Sequence, residues 1–148
     1  MEIRHILAPT DFSAFSKQAL EYAAAFARTF GARVSLLHVI ETPAFPVEGY
    51  VPPNLGTTLL ADLEQGARDE LDRLLPETEV LPVNVAREVK IGTPYRTIIE
   101  TAEEEKVDLI VMATHGRTGL SHLLIGSVAE RVVRTAPCPV LTVRPTGS

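Results

Sequence analysis

One cysteine and no tryptophan occur among the 148 residues. The lone Cys138 can form no internal disulfide and belongs to no Cys/His spacing that would hold a metal. The common glycine-rich phosphate motifs are missing as well. There is no Gly-x-x-x-x-Gly-Lys-Ser/Thr, which removes the loop of the common NTPases. The first apolar run leads into Pro9-Thr10-Asp11 without a glycine, which removes the dinucleotide fingerprint. A receiver domain would want more than one acidic residue after the first strand and a lysine after the fifth. This chain offers Asp11 alone, and Arg144.

No apolar stretch approaches the length of a membrane span, and Met1-Glu2-Ile3-Arg4-His5 lacks the basic segment and apolar core of a secretory signal. A cytoplasmic protein with no membrane partner is expected. Positive charge is scarce: 14 Lys and Arg against 19 Asp and Glu leave a formal charge of −5. With 5% aromatics there is no stacking platform to offset that, which argues against nucleic acid as a partner. The remaining composition, 45% hydrophobic and 22% charged, is that of an ordinary globular chain. At this length one domain over 1–148 is expected, burying roughly two-thirds of its unfolded surface.

Apolar runs and helical stripes alternate along the chain. Ile3 to Ala8 predicts a first strand, and Leu20, Ala23, Ala24, Ala27 and Phe30 then mark one face of a helix that Gly31 stops. Arg33 to Ile40 predicts a second strand. Glu41 to Gly56, with four of the eleven prolines, reads as a long functional loop. Leu60, Leu63, Ala67, Leu71 and Leu74 stripe a second helix, with Glu64–Arg68 and Asp69–Arg73 pairs outside. Val83 to Lys90 predicts a third strand. Gly92-Thr93-Pro94 opens a third helix that turns Ile98, Ile99 and Ala102 inward. Leu109 to Ala113 suits a strand buried on both faces. A fourth helix follows Gly126-Ser127 with Val128, Val132 and Val133 on one face, Pro137 ends it, and Pro139 to Arg144 closes the chain as a strand.

Five alternations argue for α/β architecture: an open five-stranded parallel sheet with helices on both faces and right-handed crossovers. An order of 3-2-1-4-5 sets strands 1 and 4 side by side, so Asp11 and the loop after strand 4 share the crevice where ligands bind. The third strand carries Arg87, Glu88 and Lys90, charges that blunt an exposed edge. The last strand, Val140 to Val143, carries none, so a homodimer through this edge is expected.

The loop after strand 4 has the layout of an anion site. A buried strand ends in glycines, and a helix begins whose first N–H groups lack partners and whose dipole favours negative charge. Gly116 is followed by nine residues and then Gly126-Ser127, with His115 and Arg117 beside the first glycine.

At these residues the chain resembles the universal stress protein family, over essentially its whole length. Ile6-Leu7-Ala8-Pro9-Thr10-Asp11-Phe12-Ser13 is similar to that family's first strand and adenine-side loop. Gly92-Thr93-Pro94 resembles its turn before the third helix, and Ala136-Pro137-Cys138-Pro139-Val140-Leu141-Thr142-Val143 its final turn and dimer-forming strand. ATP-binding members carry Gly, two residues, Gly, nine residues, Gly, Ser/Thr; here the series is Ala113, Thr114-His115, Gly116, nine residues, Gly126, Ser127. The resemblance implies a fold like the adenine-nucleotide alpha-hydrolases and a regulatory protein binding ATP, with Mg2+ or Mn2+ carried by the phosphates. It implies that Pro9, Thr10, Asp11 and Val39 line adenine and ribose. Met112, Ala113, His115, Gly116, Arg117, Gly126, Ser127 and Val128 would hold ribose and phosphates. A protein partner of unknown identity would read the occupied state. Ala113 departs from the pattern by one methyl group, an overpacking of about 1–3 kcal/mol unless the loop relaxes.

Each residue also admits a purely structural role. Ser127-Val128-Ala129-Glu130 has the form of a capping box, which would put Glu130 near any phosphate. Asp11 could cap the first helix, and Gly116 and Gly119 could shape a turn. His38 and His115 suit either structural hydrogen bonds or ligand contact. His5 and His122 read as solvent-facing or structural, Cys138 as a small buried residue, and Glu103-Glu104-Glu105 as a solvated helix end. No Ser/His/Asp arrangement, paired carboxylates or metal cluster commits the chain to catalysis. The expectation is a binding protein, with slow ATP hydrolysis or self-phosphorylation at most; a fold-retaining interaction module without nucleotide is the alternative that Ala113 and Glu130 favour.

Overall fold

The computed structural model describes residues 1–41, 53–77, 84–116 and 125–145. β1 (His5–Pro9), α1 (Ala14–Phe30), β2 (Arg33–Ile40), α2 (Pro53–Glu77), β3 (Val85–Ile91), α3 (Pro94–Glu104), β4 (Leu109–Ala113), α4 (Ser127–Thr135) and β5 (Val140–Val143) follow in sequence. The strands form one parallel sheet in the order β3-β2-β1-β4-β5, the order expected. β1 and β4 pair at its centre, with Ile6 opposite Leu109 and Leu7 opposite Ile110.

The period-two geometry of the strands divides their side chains between two cores. Ile6, Ala8, Val34, Leu36 and Val111 pack under α1 and α2, against Leu20, Ala23, Ala24, Ala27, Leu71 and Leu74. Leu7, Leu37, Ile110 and Met112 pack on the other face, against Ile98 and Ala102 of α3 and Ala129 and Val132 of α4. Helix ends follow local chemistry. The Ser13 hydroxyl accepts from the Ser16 N–H at 3.2 Å to open α1. Gly31, at φ 68°, closes it with its N–H on the Ala27 carbonyl.

Several expectations shift. β1 runs one residue further and starts later, at His5, leaving Ile3 packed against the core from outside the strand. Phe30 is 49% exposed and stacks on Phe26 at 6.0 Å instead of entering the core. The proline-rich loop is shorter than expected because α2 begins at Pro53, where a missing N–H costs nothing; the stretch 42–52 lies outside the described residues. Leu63 stays 38% exposed, Asp69 accepts from Gln65 at 3.0 Å, and Asp72 of α2 forms a salt bridge with Arg87 at 3.0 Å. Thr97 and Thr101 share the inner face of α3 with Ile98 and Ala102, so Ile99 is only half-buried. Val133 is 49% exposed and Ala129 takes the inward place expected for it. β3 is an edge, but of its three charges only Arg87 lies outward; Glu88 and Lys90 turn onto the α3 face.

That α3 face holds a polar cluster that runs from His5, the first residue of β1, to Glu88 and Lys90 in the second half of β3. His5, 4% exposed, sits 2.7 Å from the Ser35 hydroxyl through Nε2, and the Arg33 guanidinium is 3.3 Å from its Nδ1. The Ser35 hydroxyl donates to Glu105 Oε1 at 3.1 Å. Glu105, expected as part of a solvated helix end, is instead the acceptor on which this chain converges. Lys90 donates to Thr101 at 2.8 Å and lies 3.6 Å from Glu104. Burial, then the hydrogen bond and charge of Glu105, push the Glu88 carboxyl up to about 7. Burial also acts to raise Glu105, but hydrogen bonds from Glu88 and Ser35 and the charges of His5 and Lys90 outweigh it and hold that carboxyl low. One Glu88 oxygen is buried without a hydrogen-bond partner, which adds to the cost of its charged form.

Candidate functional site

At the other end of the sheet, the chain leaves β1 toward α1 on one face and leaves β4 toward α4 on the other. The divergence opens a cavity of about 740 Å³ at the carboxyl ends of the strands. Pro9, Thr10, Asp11, Val39, Met112, Ala113, His115, Gly116, Gly126, Ser127 and Val128 all line it. Arg117, Gly119 and His122 lie outside the described residues.

The β1 side is a strapped loop. The Thr10 N–H donates to the Leu37 carbonyl at 2.8 Å, and the Thr10 hydroxyl accepts from the Phe12 N–H at 3.0 Å. Phe12 sits at φ 68°, a conformation that is uncommon for a bulky side chain and persists only where the surroundings enforce it. Asp11 does not cap α1, since Ser13 does. One Asp11 oxygen accepts from the Ser13 N–H at 3.0 Å, and the other reaches across the cleft mouth to Gly116. A methyl group at Gly116 would stand 2.7 Å from that oxygen, so glycine there leaves room for the carboxylate.

The β4 side supplies backbone. The Gly126 N–H donates to the Thr114 carbonyl, tying the start of α4 to the end of β4. Gly126, not Ser127, is the N-cap, and Ser127 is the first helical residue with no side-chain capping bond. The capping box is thus overturned. Glu130 turns to Arg134 at 2.8 Å, and the glutamate that would have repelled a phosphate is engaged elsewhere. The N–H groups of Ser127, Val128 and Ala129, in the first turn, precede the first intrahelical bond, from the Glu130 N–H to the Gly126 carbonyl, and all three residues line the cavity. Ala113 belongs to the α1-side core, which accommodates its methyl group at the cleft floor. His115 Nδ1 lies 2.8 Å from the Thr114 hydroxyl, and its ring meets Phe15 edge-on at 6.5 Å.

Part of the wall was not anticipated. Leu63, Gly66 and Ala67 of α2 close the cavity on the side of β2, with Asp62 and Glu70 at the rim. Gly66 is exposed, and a Cβ there would meet nothing within 4 Å, so no local signal marked this wall in the sequence. Among the histidines, His5 is structural and lies far from the cleft, in the polar cluster on the α3 face. Cys138 is half-buried beside the α3–α4 core, and burial pushes its thiol up, as suits an inert packing residue.

A family model described as the universal stress protein family matches residues 2–144. The universal stress protein MJ0531 of Methanocaldococcus jannaschii is 37% identical over 145 residues, covering 95% of this chain and 82% of that protein. The solved structure of hypothetical protein MJ0577 superposes with a TM-score of 0.85 at 33% identity, over all of both chains. A universal stress protein solved in complex with cAMP shares the fold, with a TM-score of 0.66 at 24% identity over 97% of this chain and 98% of that one. Sequence order, sheet order and these likenesses agree: the chain belongs to the universal stress protein family.

Proposed function

We propose that this protein binds ATP in the cleft between the β1 loop and the start of α4, with Mg2+ or Mn2+ brought by the phosphates, and that occupancy regulates a partner. The observation that carries the proposal is a convergence of opposite chemistries on one cavity. Three N–H groups without intrahelical partners stand at the α4 end, and a carboxylate stands at Asp11. The first suits phosphate oxygens and the second suits ribose hydroxyls. Between them, Val39, Met112, Ile40 and Ala67 offer an apolar floor for a base. The cAMP complex of the more distant relative supports an adenine nucleotide as the ligand class. Of the residues that favoured a module without nucleotide, Glu130 pairs with Arg134, and Ala113 packs in the α1-side core while also lining the cavity.

The β5 edge, with Val140, Leu141 and Thr142 half-buried and Val133 exposed beside it, is the surface through which we expect two copies to pair. Titration calorimetry of nucleotide-stripped protein with MgATP tests the main reading: micromolar binding supports it, and no heat up to millimolar nucleotide overturns it. Phosphate release measured on the same sample reports whether the bound nucleotide turns over.

A further inference from the structure

His38 stands behind the loop that aims Asp11. Its Nδ1 is 2.8 Å from the Thr10 carbonyl oxygen, which can only accept, so the imidazole carries its proton on Nδ1. The same ring packs on Phe12 with centroids 4.4 Å apart. Phe12 is the residue held at positive φ, and the turn it makes directs the Asp11 carboxylate toward Gly116. One side chain of β2 thus grips the residues on both sides of Asp11, by hydrogen bond on one and by ring contact on the other.

We propose that His38 is a positioning residue of the nucleotide cleft, whose Nδ1–H clamp on Thr10 holds the strained β1 loop so that Asp11 meets the ribose hydroxyls. The inference rests on the nucleotide-binding reading above. It predicts that His38 acts on affinity through Asp11 and not through general stability. Asparagine places an N–H donor close to the position of Nδ1, whereas glutamine places it near Nε2 and leucine supplies none.

The test is calorimetric titration with MgATP and with its 2′,3′-dideoxy analogue, on wild type, His38→Asn, His38→Gln, His38→Leu, Asp11→Ala and the His38→Leu/Asp11→Ala double variant. Thermal unfolding identifies the variants that fold. His38→Leu and His38→Gln are expected to weaken ATP about 10-fold and to lose most of the preference for ATP over the analogue, while His38→Asn stays within about 3-fold of wild type. In the Asp11→Ala background, His38→Leu should add less than about 2-fold. If His38→Leu does not fold, the Asn–Gln contrast carries the same decision. Equal loss for both nucleotides, additivity with Asp11→Ala, or no advantage of Asn over Gln would overturn the positioning role while leaving nucleotide binding intact. Failure of the wild type to bind MgATP would overturn the parent reading, and this one with it.

Discussion

Two regions of the sheet gather similar residues and use them oppositely. On the α3 face, His5, Ser35, Glu88 and Glu105 lie against one another, the Ser35 hydroxyl donating to Glu105 while one Glu88 oxygen stays buried without a hydrogen-bond partner. At the carboxyl end, His38 and Asp11 also bond to protein, yet the arrangement leaves a cavity bordered by helix N–H groups with no intrahelical acceptor. The first set of polar groups is packed within protein, whereas the second borders open space. The difference is topological. At the carboxyl ends the connections from β1 and β4 leave on opposite faces and keep a crevice open, whereas at the amino ends the C-terminus of α3 folds down over the strands.

The comparison breaks most completely if the open end proves closed. Gly126→Val is expected to weaken MgATP binding more than 100-fold, about 2.7 kcal/mol. The structure adds a reason beyond crowding of phosphates. A Cβ at Gly126 would lie 3.0 Å from the Thr114 carbonyl and 3.6 Å from the His115 Cα, so the tie between β4 and α4 must shift. Unchanged calorimetric affinity in a folded variant would place the ligand elsewhere.

His5→Leu is the mirror experiment. It removes a buried ring and takes its contacts from the Ser35 hydroxyl, which keeps Glu105, and from the Arg33 guanidinium, at a cost of about 1–3 kcal/mol measured by urea unfolding. Nucleotide affinity should not change, because none of these groups lines the cleft. A loss of affinity without loss of stability would show the two regions to be coupled.

Glu88→Gln sharpens the contrast by pH. Folded Glu88 holds its proton to about 7, against an ordinary glutamate value of 4.5. Between those values the folded state carries the extra proton, so stability falls as pH rises from about 4.5 to about 7 and then levels. Glu105, held low, acts in the opposite sense, and its contribution is lost as pH falls below the ordinary glutamate range. The Glu88 carboxyl is only partly buried, and solvent screening leaves an effect on the order of 1 kcal/mol. Glutamine carries no titrating charge. The variant should match wild type near pH 5 and exceed it by about 1 kcal/mol at pH 8; parallel pH profiles of the two proteins would show that Glu88 titrates normally.

The carboxyl end was legible in the sequence because its chemistry is local. Asp11, Gly116 and Gly126-Ser127 stand in short segments at strand–helix junctions, and these are the segments that border the cavity. The α3-face cluster was not, because it joins positions 5, 35, 88 and 105, which no periodicity connects, and Glu105 sits in an acidic run that looks solvated. The capping box at Ser127 misled for a related reason. Its residue types fit, but Gly126 already supplies the extended cap conformation, at φ −73° and ψ 160°, and helix registers one residue apart have the same composition.

Ala113→Gly carries the smallest expected effect and tests the finest point of the comparison. Sequence alone sets this methyl group against the phosphate loop, since a glycine stands there in the family's pattern. In the structure, Ala113 is the last residue of β4, paired with Val143 and counted in the core under α1, so its side chain fills space that the fold provides. Removing it should cost about 1 kcal/mol of stability through lost burial and a looser strand end. MgATP affinity should move by less than about 3-fold, well under 1 kcal/mol. A 10-fold gain would mean that the methyl group does obstruct the nucleotide, and that the loop at the open end is less ready for its ligand than its geometry indicates.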